Sequence, residues 1–191
     1  GIPSTGARRQ TLLSHTEIDG IRAMLQVLVT PDNDVAVARV LLSPRWHINE
    51  SDLRALAQHR NHIQSHSEDM TAGMYVPRPA LLDAVMDMTV VDNISTETRE
   101  RLHVLITEIQ VLTETAQQGF LQDTVKLVIE RGGYHQELAA RGEPEHVEAQ
   151  DAIDRFTRIA ASFGGTGLSG VRAFLRFLDR ADEAEDANLG S

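Results

Sequence analysis

The sequence predicts an all-α protein, and three features carry that prediction. Apolar residues recur at helical spacing in segment after segment, and glycine or proline punctuates the segment ends. No alternating stretch is long enough to nominate a strand, MTVV at 88–91 being the one candidate. The chain has 191 residues, 41% hydrophobic and 24% charged, enough for one sizeable domain with a real core. Aromatics are only 4%, so aliphatic side chains and alanine must supply most of that core.

Taken in order, residues 16–29 place Ile18, Ile21, Met24, Leu25 and Leu28 on one stripe. The segment 34–42 carries Val35, Val37, Ala38, Leu41 and Leu42, and Pro44 stops it. Leu53, Leu56, Ala57, Arg60 and Ile63 form one face of a helix over about 50–66. SHSEDMTAGMYVPRP then reads as a loop, closed by Pro77 and Pro79, before a short helix at 79–87. The longest helix is expected at 95–117, with Ser95 as N-cap and Leu102, Leu105, Ile106, Ile109 and Leu112 inward. Gly119 separates it from a helix at 120–131, which Gly132 and Gly133 end. Helices at 134–141, 145–163 and 168–184 complete the series, the last two joined by GGTGLSG at 164–170. No internal repeat is evident.

Bulk properties exclude several function classes. The formal net charge of −10 argues against coating nucleic acid or an anionic membrane by overall electrostatics, although a local basic patch remains compatible with it. There is no cysteine, which removes disulfides, thiolate metal sites and cysteine nucleophiles. No apolar run approaches the roughly 20 residues that span a bilayer. GIPSTGARRQ has no apolar region of signal-peptide type, so a cytoplasmic location is expected.

Catalytic motifs are sparse. No phosphate-binding G-x-x-x-x-G-K-[ST] occurs, since Lys126, the single lysine, lies in T-V-K-L within a helical segment. GGTGLSG lacks both the lysine and a preceding strand, which favours an interhelical turn over a phosphate cradle. The acids of DEAED at 182–186 read as a solvated helix end. His59, His62 and His66 fall at i, i+3 and i+7 of one helix, a spacing that can share a zinc or nickel ion. A polar, solvent-facing stripe opposite Leu53, Leu56 and Ile63 is the preferred reading of the three, and no metal is assigned.

SPRWHINESDLRAL, residues 43–56, holds the only tryptophan and joins two helices. Pro44 halts the first helix, and Asn49 caps the second with Asp52 at capping-box spacing. Arg45, Trp46, His47 and Ile48 therefore form a helix–hairpin–helix corner. Free amides at a helix N-terminus beside a cation suit one backbone phosphate, gripped without reading bases. On the physics of the segment alone, the preferred reading has Trp46 and Ile48 as core plugs with Arg45 in solvent.

Longer stretches add a resemblance. VARVLLSPRWHINESDLRAL resembles a segment of UvrD/Rep/PcrA-type superfamily I DNA helicases, closest to an actinobacterial variety reading P-R-W-x-I-x-x-x-D-L, which Pro44, Arg45, Trp46, Ile48, Asp52 and Leu53 match. EIDGIRAMLQVLVTPDNDVAVARVLLS resembles the preceding helices, with an L-x-x-P-x-x-D phrase met by Leu28, Pro31 and Asp34. LVIERGGYHQELAARGEPEHVEAQDAIDRFTRIAASF and GLSGVRAFLRFLDRADEAED resemble the later helices in the family's order. The resemblance covers roughly residues 12–186, with 1–11 and 187–191 expected as tails, vector-derived or otherwise outside the domain.

It implies the all-α accessory 2B subdomain of an ATP-dependent helicase of DNA repair or replication. That subdomain would contact duplex DNA weakly through its hairpin and regulate unwinding, near the nucleoid. The fragment itself would hold no cofactor and no catalytic residue, and the ATP and Mg of the parent would belong to its motor domains, the main partners here. Arg45, Trp46, His47, Ile48, Asn49 and Ser51 would be the DNA-contacting residues. His47 and Asn49 stand where the family hairpin has glycines. The competing reading is a helical protein–protein interaction module that binds no DNA.

Overall fold

A computed structural model describes residues 15–71, 77–140 and 144–189, without the side chains at 68–71, 185–186 and 188–189. Nine α-helices and no strand occur among the described residues. The expected tail at 1–11 lies outside them.

Helix α1 (Thr16–Val29) is the post around which the others gather, with α2 (Asp34–Leu42), α5 (Thr96–Gln118), α6 (Leu121–Arg131), α8 (Glu145–Phe163) and α9 (Gly167–Leu189) all packed on it. Its sequence explains this, because apolar residues extend beyond one stripe. Ile18, Ile21, Ala23, Met24, Leu25, Val27, Leu28 and Val29 are all buried, and a helix apolar on most sides belongs in the middle of a core. Polar ties fix its middle and its C-terminal end. Arg22 bridges to Asp179 at 3.0 Å and Asp182 at 2.7 Å, and Arg172 donates to the Val29 carbonyl at 3.2 Å. Asp182 is thus bonded rather than free in solvent, unlike the reading of DEAED as a solvated run.

Asp34 explains the last residue of the L-x-x-P-x-x-D phrase. One carboxylate oxygen accepts the Leu81 amide at 2.7 Å, and the other pairs with Arg60. A single acid thereby joins α2 to α3 (Glu50–Thr71) and α4 (Leu81–Met86).

Three boundaries depart from expectation for identifiable reasons. Helix α3 runs on to Thr71, and the Ser65 and Ser67 hydroxyls, which a loop would have left free for turns, bond back to the carbonyls of Asn61 and Ile63. MTVV is a succession of turns instead of a strand. Arg99 takes the Met88 and Val91 carbonyls that a strand partner would need, the latter at 2.6 Å. Helix α9 reaches Leu189, taking in 187–189, since no glycine or proline occurs between Gly170 and Gly190. Helix α7 (Tyr134–Ala139) and the remaining elements follow the sequence closely.

GGTGLSG forms a clasp with the α5–α6 turn. Phe120 and Thr166 pair as an antiparallel bridge, with Leu121 N–H on Gly165 O and Gly167 N–H on Gly119 O, each at 3.0 Å. The Gly167 amide, one that a phosphate cradle would use, is taken up by this contact. Gly165 has φ +110°, and a Cβ there would lie 3.2 Å from the Gly170 Cα. Gly165→Ala is expected to cost about 1–3 kcal/mol, read as a lower urea midpoint at unchanged slope.

Candidate nucleic-acid interface

The hairpin between α2 and α3 closes on its own backbone. The Ser43 amide and hydroxyl both donate to Val40 O, and Ser43 O in turn accepts the amides of Trp46 at 3.1 Å and His47 at 2.8 Å. The Ile48 amide returns to Leu41 O at 3.0 Å. To make this reversal His47 takes a left-handed backbone, φ +49°, a conformation that glycine reaches most easily. Trp46 and Ile48 point inward and are buried in the main core, while Arg45, His47, Asn49 and Ser51 are exposed. Trp46 and Ile48 are therefore core plugs, as the packing alternative had it. The Ile48 amide is occupied, so the amides still lacking an intrahelical acceptor are those of Glu50 and Ser51 in the first turn of α3.

Arg45 is held in place. Its guanidinium lies 4.9 Å from the centroid of the Trp46 ring, and a Cβ on Gly133 would come within 3.1 Å of its Nη1. Gly133, at φ +69°, and Gly132 let the α6–α7 turn approach. The neighbouring Tyr134 sits where Gly20 makes room, since a Cβ on Gly20 would meet its hydroxyl at 2.5 Å. Burial, then the nearby charges of Glu137 and Glu17, push the Tyr134 hydroxyl pKa up against the pull of Arg45. The cavity beneath Arg45, Trp46 and Tyr134 is about 20 Å³, room for a water and no larger ligand.

Three side chains from α5 and its cap, Arg101, Thr98 and Ser95, set the hairpin's geometry, and sequence reasoning found none of these contacts. Arg101 Nη1 donates to His47 O at 3.0 Å and Trp46 O at 3.3 Å, and its other nitrogen bonds Glu97. Asp52, buried, accepts Thr98 Oγ1 at 2.6 Å, Ser95 Oγ at 3.0 Å and Asn49 Nδ2 at 3.0 Å. Asn49 Oδ1 accepts the Asp52 amide at 2.8 Å, the expected cap, and the Ser51 hydroxyl at 2.6 Å. The reciprocal half of the capping box goes elsewhere, because Asp52 turns to α5. Burial raises the Asp52 pKa, but the bonds from Thr98, Ser95 and Asn49 outweigh it and hold the carboxyl below the ordinary range.

The three histidines diverge. His59 Nε2 sits 2.8 Å from Asp87 Oδ2, and His62 and His66 are exposed. No group of three or more metal-ligating side chains comes together among the described residues. No helix is long and apolar enough to cross a membrane, again among the described residues.

No protein-family model matches the chain. It is similar to two curated proteins described as subunits of an ATP-dependent helicase/nuclease. That of Levilactobacillus brevis is 22% identical over 191 residues, which is 100% of this chain and 14% of the relative. That of Pelotomaculum thermopropionicum is 25% identical over 183 residues, 96% of this chain and 13% of the relative. The chain is thus distantly related to helicase subunits and spans about one-seventh of their length.

Two outcomes follow from the geometry. A depressed carboxyl pKa adds stability that is complete above the unfolded value, about 3.9, and lost as pH falls through the folded one. Asp52→Asn is expected to cost about 1–3 kcal/mol near neutrality and to flatten the loss of stability below about pH 4, followed by urea titration across pH. His47→Val, β-branched at a left-handed φ, is expected to cost about 1–2 kcal/mol, whereas His47→Gly stays within about 0.5 kcal/mol of the parent chain.

Proposed function

We propose that this chain is an accessory, 2B-type subdomain of an ATP-dependent DNA helicase. In this reading it touches duplex DNA through the 43–51 hairpin and regulates unwinding of repair or replication substrates at the nucleoid. ATP, Mg and hydrolysis belong to motor domains elsewhere in the parent, in keeping with a sequence that has no phosphate-binding loop. The distant relatives bear helicase names, and the chain matches only about one-seventh of each, as a subdomain would.

The observation that carries the proposal is the hairpin itself. A strained left-handed residue is kept by Arg101, by Ser43 and by the Asp52 network, and strain held this firmly points to use. The result is an exposed edge with the Arg45 cation, the His47 side chain and two first-turn amides, while Asn49 and Ser51 are bonded to each other, and Asn49 to Asp52, and shape the edge. These groups suit one or two phosphates and offer no base-reading element. Glu50 on the same turn and the net charge of −10 keep such contact weak and local.

A second reading, a helical protein-binding module, is favoured by Phe163 and Phe177, which are exposed side by side on α8 and α9. Anisotropy of a labelled duplex titrated with the chain at low salt separates the two. Weak binding with a steep salt dependence is expected, with Arg45→Ala lowering the log–log salt slope by about one and His47→Glu abolishing binding. Duplex binding that is absent at low salt, or indifferent to His47→Glu, defeats the proposal.

A further inference from the structure

Phe163 and Phe177 are 39% and 43% exposed, with ring centroids 5.3 Å and ring planes 40° apart, and both lean on the buried Phe174. Beside them opens a groove of about 560 Å³, lined also by Arg155, Arg158, Ile159 and Ser162. The α8 residues of this lining follow one another at i, i+3, i+4, i+7 and i+8, a single stripe of the helix about 12 Å long. It is cationic at one end and aromatic at the other. No acid lines the groove, on a chain with an excess of ten negative charges.

Two features narrow the occupant. Among the described residues Arg155 and Arg158 are in no ion pair, and Arg158 Nε donates only to the Asp154 carbonyl, at 3.4 Å. Neither guanidinium has a carboxylate to give up when an anion arrives. The walls are helices, bonded within themselves except at the last turn of α8, and guanidinium donates without accepting. An extended peptide would leave most of its amides without an acceptor there. A single DNA strand has no backbone donor. Its phosphates accept, and its bases offer a flat face to the rings while their edges stay in water.

We propose that the α8–α9 groove binds single-stranded DNA without reading its sequence. A base stacks on Phe163 or Phe177, and the neighbouring phosphates pair with Arg155 and Arg158. Arg180, exposed three residues after Phe177, extends the cationic edge on α9. Asp151, exposed one turn before Arg155, ends it on α8. The stripe holds roughly three nucleotides at about 3.4 Å each, so binding is weak. This contact needs neither the 43–51 hairpin nor a duplex.

Anisotropy of a fluorescein-labelled oligothymidylate of about 12 nucleotides, titrated with the chain at low salt, tests this. Weak binding is expected, about tenfold weaker still in Phe177→Ala and in Arg158→Glu. Arg155→Ala lowers the log–log salt slope by about 0.7, whereas Phe177→Ala leaves the slope unchanged. An abasic strand of the same length and charge binds about tenfold less tightly, because it has nothing to stack. Phe177→Trp keeps the affinity, and its indole fluorescence is quenched as strand is added. Circular dichroism confirms that each variant folds. Absence of single-strand binding at low salt overturns the proposal, as does equal affinity for the abasic strand or indifference to Phe177→Ala and Arg158→Glu. Displacement of the strand by oligoglutamate of equal charge would give the groove to an acidic protein partner and overturn it too. Loss of binding in Arg45→Ala would place the strand at the hairpin instead, so this proposal and the duplex contact fail separately.

Discussion

The buried Asp52 carboxylate is the interaction on which the corner depends. It is one of the few charged groups taken fully into the core, and three side-chain donors from two helix N-termini converge on a single one of its oxygens. An ionised group in such a place is tolerated only when every donor is in position. The start of α3 and the start of α5 are therefore fixed relative to each other. Asn49 and Ser95, each the cap of its own helix, are locked by the same acid. That constraint fixes the rest of the hairpin. With α5 anchored there, Arg101, one and a half turns along, reaches the carbonyls of Trp46 and His47.

The hairpin is pressed from the other side by α1 and α6. Trp46 and Ile48 belong to the same core as Met24 and Leu25, and the α6–α7 turn closes over Arg45 through two glycines. Arg45 is exposed yet confined between an aromatic ring and a turn. A flexible arginine has many rotamers in solvent, and the ring and the turn restrict this one. Two of the four stretches behind the helicase resemblance, around Pro44 and around Gly133, thus meet in space, although nearly half the chain separates them. Their co-occurrence has a structural reason.

Helix existence and order were legible because a 3.6-residue apolar period survives even where tertiary contacts are unknown. Ser95, Asn49, Pro44 and Gly132 marked their boundaries by local chemistry. What was not legible is non-local. Nothing near MTVV says that Arg99 will take its carbonyls, and nothing near Asp52 says that it will leave its own helix for Ser95 and Thr98. Serines at 65 and 67 look like loop formers until they bond back into their own helix. At the site, Trp46 was readable both as a plug and as a contact. Burial decided for the plug, while Arg45, His47, Asn49 and Ser51 came out on the surface.

His47 is the residue of the hairpin whose backbone is least expected from its side chain. Glycine would reach a left-handed φ of +49° without steric hindrance, and asparagine with little, but a histidine there is strained in every folded molecule. Packing cannot account for it, because the imidazole is exposed and touches none of the core that fixes Trp46 and Ile48. The clamp from Arg101 and the double acceptance by Ser43 hold the backbone whatever side chain it bears. The imidazole and the Arg45 guanidinium, two residues apart, are both left on the surface by the same backbone.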